Sequence, residues 1–183
     1  MSEYGERFER LATAFTERVE AVPADRWESP APCDGWVARD VVRHLVEWVP
    51  AFLETYGALV VTPGPSVDDD PVGAWANLRD QLVGWLADPE VAAREIDTPP
   101  GRMPIGAAID MFITHDVLIH TWDLARATGL DERIDATEVH RMYEGMLPMD
   151  EALRQSGHFG PKVEVPDDAD EQTKLLAFVG RRS

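Results

Sequence analysis

Two polar side chains interrupt an apolar helical stretch in the second half of the chain. Residues 113–129 read ITHDVLIHTWDLARATG, and Asp116 and His120 lie one helical turn apart on its predicted buried face. A carboxylate and an imidazole on such a face cost free energy unless a partner pairs with them. Because side chains at positions i and i+4 point to the same side of a helix, Asp116 and His120 could coordinate one metal ion together.

His44 offers a third donor on another predicted helix. It lies between Val41 and Trp48 on the apolar face of WVARDVVRHLVEWVPAFL, and in a bundle that face meets the other helices. With Asp116 and His120 it would complete a nitrogen, oxygen, nitrogen set that suits zinc, nickel, iron or manganese, with zinc or nickel favoured. Three protein ligands leave a coordination position open, as a catalytic metal requires.

The same three residues could instead form a hydrogen-bonded core triad that holds no metal. Asp116 would then pair with His120 or with an arginine, since buried polar groups in proteins are nearly always hydrogen-bonded. In that case replacing His44 with alanine would cost stability and nothing else.

Two further residues of the same helix could belong to the surroundings of this site. His115 lies about 100° round the helix from Asp116, so it is expected outside the ligand set, near the site or partly exposed. Asp123 lies one turn beyond His120 and could orient that imidazole, as carboxylates next to metal ligands do. An ion pair of Asp123 with one of the arginines at positions 43 and 126 is the alternative.

Other side chains have weaker claims. Trp48 and Trp122 are candidates to line a pocket, and Glu47 is a candidate fourth ligand with a solvated position as its alternative. Cys33 precedes the second predicted helix, whose N-terminus could lower the pKa of the thiol, but nothing else marks it as a nucleophile. The histidines at positions 140 and 158 have no partner at helical spacing and are expected on the surface or in loops.

The composition excludes several classes of partner. The 183 residues include 17 basic and 34 acidic ones, giving a formal net charge of −17. Nucleic acid and anionic membrane surfaces are not expected as partners, since both attract a basic face. No apolar run approaches the roughly 20 residues that span a bilayer, the N-terminus has no signal-peptide layout, and Cys33 is the single cysteine. These features indicate a cytoplasmic protein.

The hydrophobic pattern predicts an all-α fold in one domain, residues 1–183. Apolar residues recur at helical spacing in five stretches: 2–22, 36–60, 71–88, 104–129 and 135–154. The fourth is expected to begin at Pro104 and to stop at Gly129, and Pro50 is a candidate kink in the second. Residues 94–106 look like a connection with turn chemistry, and KVEV at 162–165 like a short strand before a closing helix. A helical bundle is the simplest architecture for this pattern.

Two blocks of the sequence resemble a known family. SPAPCDGWVARDVVRHLVEW and HDVLIHTWDLARATG are similar to the DinB/YfiT-like metal-binding superfamily, in particular to its actinobacterial branch related to the N-terminal domain of mycothiol-dependent maleylpyruvate isomerase. The tail FGPKVEVPDDADEQTKLLAFVGR looks like the same branch. The resemblance implies a DinB-like four-helix bundle with an additional C-terminal helix and a short tail. It also implies a divalent metal held by His44, Asp116 and His120.

The resemblance further implies chemistry with a low-molecular-weight thiol. Relatives of known activity use mycothiol or bacillithiol for isomerisation or S-transfer, and a metal-bound thiol loses its proton more readily. The function expected on this basis is a thiol-dependent transferase or isomerase acting on a small electrophilic substrate. The alternative is a metal-binding or ligand-binding bundle without catalysis.

Some features depart from the family pattern or leave it open. The tail is too short for the second domain of the isomerase, so any catalytic group of that domain is missing or replaced. Aspartate stands at position 116 where some relatives have histidine or glutamate, which leaves the identity of the metal open.

An exposed face of the bundle could pair two chains as a homodimer.

Overall fold

The computed structural model describes residues 2–57, 59–155 and 160–182. Its helices are α1 Glu3–Ala21, α2 Ala38–Phe52, α3 Pro71–Ala87, α4 Pro89–Ala92, α5 Ile105–Ala108, α6 His115–Thr128, α7 Ala136–Met146, α8 Asp150–Gln155 and α9 Glu171–Phe178. Leu53–Gly57 and Ile109–Thr114 are π-helical, and Leu147–Met149 is a 3-10 turn. Two strands, β1 Glu95–Thr98 and β2 Gly101–Pro104, form a hairpin.

Four helices form the central bundle. The helices α1 and α2 each pack against both α3 and α6, which confirms the predicted all-α bundle. The apolar stripes of these helices meet inside it, because residues three and four apart share one helix face. The largest buried side chains of this core include Phe8, Phe15, Leu45, Trp75, Leu82 and Ile113.

A second, smaller core lies between the bundle and the C-terminal part of the chain. Helix α7 packs against α9, and together they cover the outer faces of α1 and α6. Leu11, Trp122, Met142, Leu175 and Phe178 are its main buried residues. Helix α9 is the additional C-terminal helix that the resemblance implies, and this second core attaches it to the bundle.

The long helix that carries Asp116 and His120 is continuous from α5 to α6. It begins after Pro104 and ends at Gly129, as the sequence predicts. Between α5 and α6, however, the residues Ile109–Thr114 form a π-helical segment. A widened turn leaves no mark on a hydrophobic pattern of period 3.6, so the sequence did not indicate it. The segment ends directly before the turn that holds the candidate ligands.

Several connections differ from the sequence prediction. Residues 94–106 contain the β1–β2 hairpin, whose register pairs Glu95 with Pro104 and Thr98 with Gly101. Residues 162–165 form no strand, and Val163 instead donates its N–H to the Ala177 carbonyl at 2.9 Å. The strands of the hairpin, with four residues each, are too short for a clear alternating pattern, and the partner of Val163 lies outside its own segment.

Two prolines differ in their effect on the helices that contain them. The predicted fifth helix is interrupted at the 3-10 turn containing Pro148, because a proline lacks the N–H that a continuing helix needs. Helix α2 continues past Pro50 to Phe52 and then widens into its π-helical segment. Among the described residues, no helix is long and apolar enough to cross a bilayer.

Replacing Gly129 with alanine should destabilise the fold by about 1 kcal/mol. Gly129 ends α6 with φ at 75°, and a Cβ there would meet no atom within 4 Å, so the cost is the left-handed backbone alone. Gly84, on the exposed side of the last turn of α3, is the matched control, because a Cβ there also meets nothing within 4 Å. Gly84→Ala should stabilise by roughly 0.5–1 kcal/mol in urea unfolding. Equal effects of the two substitutions would contradict this account of the helix end.

Candidate metal centre

Helices α2 and α6 bring the three predicted ligands together. The His44 Nε2 lies 3.1 Å from one Asp116 oxygen, and the His120 Nε2 lies 3.4 Å from the other. One donor atom from each residue lies within 4.8 Å of the other two. His44 comes from the middle of α2, and the other two lie one turn apart on α6, so the seam between these helices assembles the cluster.

The spacing and exposure of the three side chains fit a metal ion. Donor atoms at about 2.1 Å from a tetrahedral metal lie about 3.4 Å from each other, close to the separations of Asp116 from the two imidazoles. The His120 side chain is 4% exposed, whereas those of His44 and Asp116 are 31% and 28% exposed. One side of the cluster is therefore held in the protein and the other faces solvent, which leaves room for a further ligand.

Asp123 holds the imidazole of His120 from behind. The His120 Nδ1 lies 2.9 Å from an Asp123 oxygen, and the Asp123 side chain is completely buried. This contact turns the Nε2 of His120 toward Asp116, because Asp123 accepts the Nδ1 proton. The structure thus places Asp123 where the sequence suggested, one turn beyond His120 and against its ring.

The partner of Asp123 is an arginine that sequence reasoning missed. Arg181 donates from Nε and Nη2 to the two Asp123 oxygens, both at 2.8 Å. The alternatives suggested by the sequence are wrong, since Arg43 binds Asp68 and Asp40 while Arg126, on α6, binds Glu132 in the loop that follows. Arg181 follows α9 and lies 58 residues from Asp123 along the chain. No local spacing could have indicated the pair.

The electrostatics of the cluster favour a protonated His120 between two carboxylates. Burial alone would lower the pKa of the His120 imidazole, but the Asp116 charge and hydrogen bonds to Asp116 and Asp123 raise that pKa to about 9. Burial would raise the pKa of Asp116, but the two histidines hold it well below its ordinary range. The pKa of Asp123 is lowered in the same way, against the effect of burial, by His120 and Arg181.

Two tryptophans frame the cluster. The Trp48 indole N–H donates to Asp116 at 2.9 Å, so this predicted pocket residue fixes the carboxylate directly. Trp36 lies 5.1 Å from the His44 ring and 5.9 Å from the His120 ring, stacked on the latter at 23°. Sequence reasoning missed Trp36, because it lies in the extended segment before α2, and a helical pattern does not predict its stacking on the imidazoles. The signal available in the sequence was that Trp36 lies in SPAPCDGWVARDVVRHLVEW, the first of the two blocks that resemble the family.

The structure does not bring the other predicted residues to the cluster. Trp122 is buried in the second core, under the Arg126 guanidinium. His115 donates from Nδ1 to the Met111 carbonyl at 2.8 Å, and burial, followed by the Arg7 charge, lowers the pKa of its imidazole. Glu47 is exposed to solvent.

The two remaining histidines have no place in the cluster. His140 is exposed and pairs with Glu171, as expected for a surface residue. His158 lies outside the described residues.

Cys33 lies beside the cluster as a protonated thiol. Its Sγ is 3.7 Å from an Asp123 oxygen, and it forms a second group of candidate donors with His120 and Asp123. Burial, followed by the Asp123 charge, raises the pKa of this thiol to about 12. The expectation that a helix N-terminus lowers this pKa is therefore wrong, because burial and a carboxylate outweigh the helix end.

Comparison with known proteins decides the family. The model of the mycothiol maleylpyruvate isomerase N-terminal domain matches residues 8–125. The chain belongs to this family. The matched range contains the bundle and the cluster of His44, Asp116 and His120, so the DinB-like, mycothiol-associated character of the family covers the candidate centre. Arg181 lies beyond the matched range.

Two uncharacterized mycobacterial proteins are similar to this family member over most of its length. They come from Mycobacterium tuberculosis strains CDC 1551 / Oshkosh and ATCC 25618 / H37Rv, and each is 28% identical over 192 residues, covering 94% of both chains. No solved structure matches the chain at a significant level. The relatives extend the similarity past residue 125, beyond the range that the family model matches.

Proposed function

We propose that this protein binds one divalent metal ion, with zinc or nickel favoured, through His44, Asp116 and His120. The observation that carries this is the meeting of two imidazole nitrogens and a carboxylate within 4.8 Å at a seam that is buried on one side and open on the other. Three ligands with an open position are typical of catalytic rather than structural zinc.

We further propose that the centre serves a thiol-dependent transferase or isomerase that uses mycothiol and a small electrophilic substrate. A metal at this position would lower the pKa of a coordinated thiol, so that the thiol becomes a nucleophile near neutral pH. Asp123 and Arg181 would hold His120 in place, and Trp48 would hold Asp116. The family's association with mycothiol supports this choice of thiol.

The proposed thiol should stabilise the metal-loaded protein. A ligand at 100 times its dissociation constant adds about 2.7 kcal/mol to the free energy of unfolding, which raises the melting temperature by several degrees. The zinc-loaded chain should show this rise with mycothiol and not with its S-methyl derivative. The same comparison on His120→Ala is the control, since that variant should gain nothing.

Two outcomes of this experiment would oppose parts of the proposal. A zinc-loaded chain that gains no stability from any thiol would favour a metal-binding bundle without catalysis. A chain that responds equally to mycothiol and its S-methyl derivative would argue against coordination through sulfur. Turnover would then be sought with a small electrophile, by following loss of the free thiol.

Metal affinity should rise with pH over the window in which His120 titrates. A metal displaces the proton from His120, whose pKa in the metal-free protein is about 9 against an ordinary 6.5. Affinity should therefore rise by about tenfold per pH unit until it levels off near pH 9. Competition with a chelator at several pH values would measure this.

The stability of the metal-free protein should change in the opposite direction. A raised pKa means that the protonated His120 stabilises the fold fully below about pH 6.5, and this contribution is lost as the pH rises through about 9. Urea unfolding of the chelator-treated chain would show the decline, and His120→Ala should remove it. A flat profile for both affinity and stability would contradict the assignment of the proton to His120.

A further inference from the structure

A strip of aromatic rings leads away from the candidate centre. It consists of Trp48, Phe52 and Tyr56 on α2 and its π-helical continuation, and Phe112 from the facing π-helical segment. Successive ring centroids along α2 are 5.7 and 5.1 Å apart, and Phe112 lies 5.1 Å from Phe52. Trp48, Phe52 and Tyr56 follow His44 at intervals of four residues. One face of α2 and its continuation therefore carries both a proposed metal ligand and the strip.

The strip offers apolar surface to a ligand. Trp48, Phe52 and Phe112 are half-buried, with their inner edges packed on the core, and Tyr56 is 37% exposed. Met111, beside Phe112 in the chain, is also exposed. A contiguous, partly exposed apolar surface on a monomer marks a binding site more often than chance. From Trp48 to Tyr56 it spans roughly 12 Å of helix, enough for two fused rings.

The strip is continuous with the candidate centre. The Trp48 ring lies 5.9 Å from the ring of His44, and its N–H reaches Asp116 at 2.9 Å. A molecule lying on the rings would therefore have one end beside the open side of the cluster. This continuity points to a small ligand of the same site.

The charges around the strip favour an uncharged ligand. Glu47 and Glu54 are exposed on the same helical run and repel anions, while Arg94 lies at the Tyr56 end, where its guanidinium donates to the Gly57 carbonyl. Arg43, next to His44, is held by Asp40 and Asp68. The contacts of cationic groups with rings among the described residues fall on other rings, those of Trp27, Trp122 and Phe178.

From these observations we propose that the strip binds the uncharged aromatic portion of the substrate and places its electrophilic carbon beside the metal centre. This inference rests on the proposed function and names its substrate class. Stacking on the rings supplies the affinity, and the two glutamates disfavour substrates that carry a negative charge on the ring end. Maleylpyruvate, an open-chain dicarboxylate, has no such aromatic portion.

Binding of a matched pair of probes tests the strip. Naphthalene-2-methanol is uncharged, and naphthalene-2-sulfonate has the same rings with a weakly coordinating anionic group. Calorimetry on the zinc-loaded full chain should show that the alcohol binds about tenfold more tightly or better than the sulfonate. Tyr56→Ser and Phe112→Leu should each weaken binding of the alcohol about fivefold or more, while zinc affinity stays unchanged. Leu147→Ser, at an exposed apolar residue of the 3-10 turn, should change neither.

The outcomes separate the strip from the metal centre. If the chain binds zinc but neither Tyr56→Ser nor Phe112→Leu changes the affinity for the probe, the inference about the strip is wrong. The proposed function is then unaffected. Probe binding that depends on Tyr56 and Phe112 in a chain that takes up no zinc would support the strip and oppose the proposed function. Tighter binding of the sulfonate, or a dimer in sedimentation that Tyr56→Ser dissociates, would overturn the inference.

Discussion

Asp116→Asn should weaken the binding of zinc or nickel by about 100-fold or more. The substitution keeps the shape of the side chain and an oxygen that can accept the Trp48 N–H. It removes the negative charge that lies between the two imidazoles, 3.1 Å from one and 3.4 Å from the other. Calorimetric titration of the chelator-treated variant with each metal would measure the loss.

Glu47→Gln is the matched control for this substitution. It removes the same charge from an exposed position on the helix that carries His44, and Glu47 was a candidate fourth ligand from the sequence alone. If the proposed set of three is correct, the control should bind metal within about twofold of the wild type. An equal loss in both variants would mean that net charge, rather than a ligand, controls the affinity.

Arg181→Leu should have the largest effect on the fold, with a loss of about 3–5 kcal/mol in the free energy of unfolding. The substitution leaves the fully buried Asp123 carboxylate without the two charge-assisted hydrogen bonds that compensate its burial. The loss of Arg181 as the partner of Asp123 should also weaken metal binding by about 10- to 100-fold, because Asp123 then no longer holds the His120 imidazole in a fixed orientation. Urea unfolding and chelator competition would measure the two effects.

Two control variants separate this effect from the loss of any arginine. Arg126 makes an exposed ion pair with Glu132, and Arg126→Leu should cost less than about 1 kcal/mol. Combining Arg181→Leu with Asp123→Asn removes the unpaired charge and should recover part of the stability, though not the metal affinity. If Arg181→Leu alone is as stable as the wild type, Arg181 does not support the buried carboxylate of Asp123.

The sequence was most informative where the functional residues share a helix. Asp116 and His120 are four residues apart, and Asp123 follows three residues later, so helical geometry alone predicts their contacts. His44 could be selected because a histidine between Val41 and Trp48 stands out on an apolar face. The bundle follows from the same patterns, since each long amphipathic stripe must be buried against another helix.

The remaining features depend on contacts that no local pattern encodes. Arg181 reaches Asp123 from the far end of the chain, and Trp36 stacks on the imidazoles from a loop before α2. The π-helical segment before His115 changes the helix by one widened turn, which a period of 3.6 cannot reveal. Trp122 could not be assigned to a pocket or a core until the position of α9 was known.

The metal content of the untagged wild-type protein tests the central claim most directly. Purified without an affinity tag and analysed by mass spectrometry, it should contain close to one equivalent of a divalent metal. His44→Ala and His120→Ala should each contain almost none, while His140→Ala, at an exposed histidine, should match the wild type. A wild type that holds no metal, and takes up none from added zinc or nickel, would leave a hydrogen-bonded triad of His44, Asp116 and His120 and contradict the proposed function.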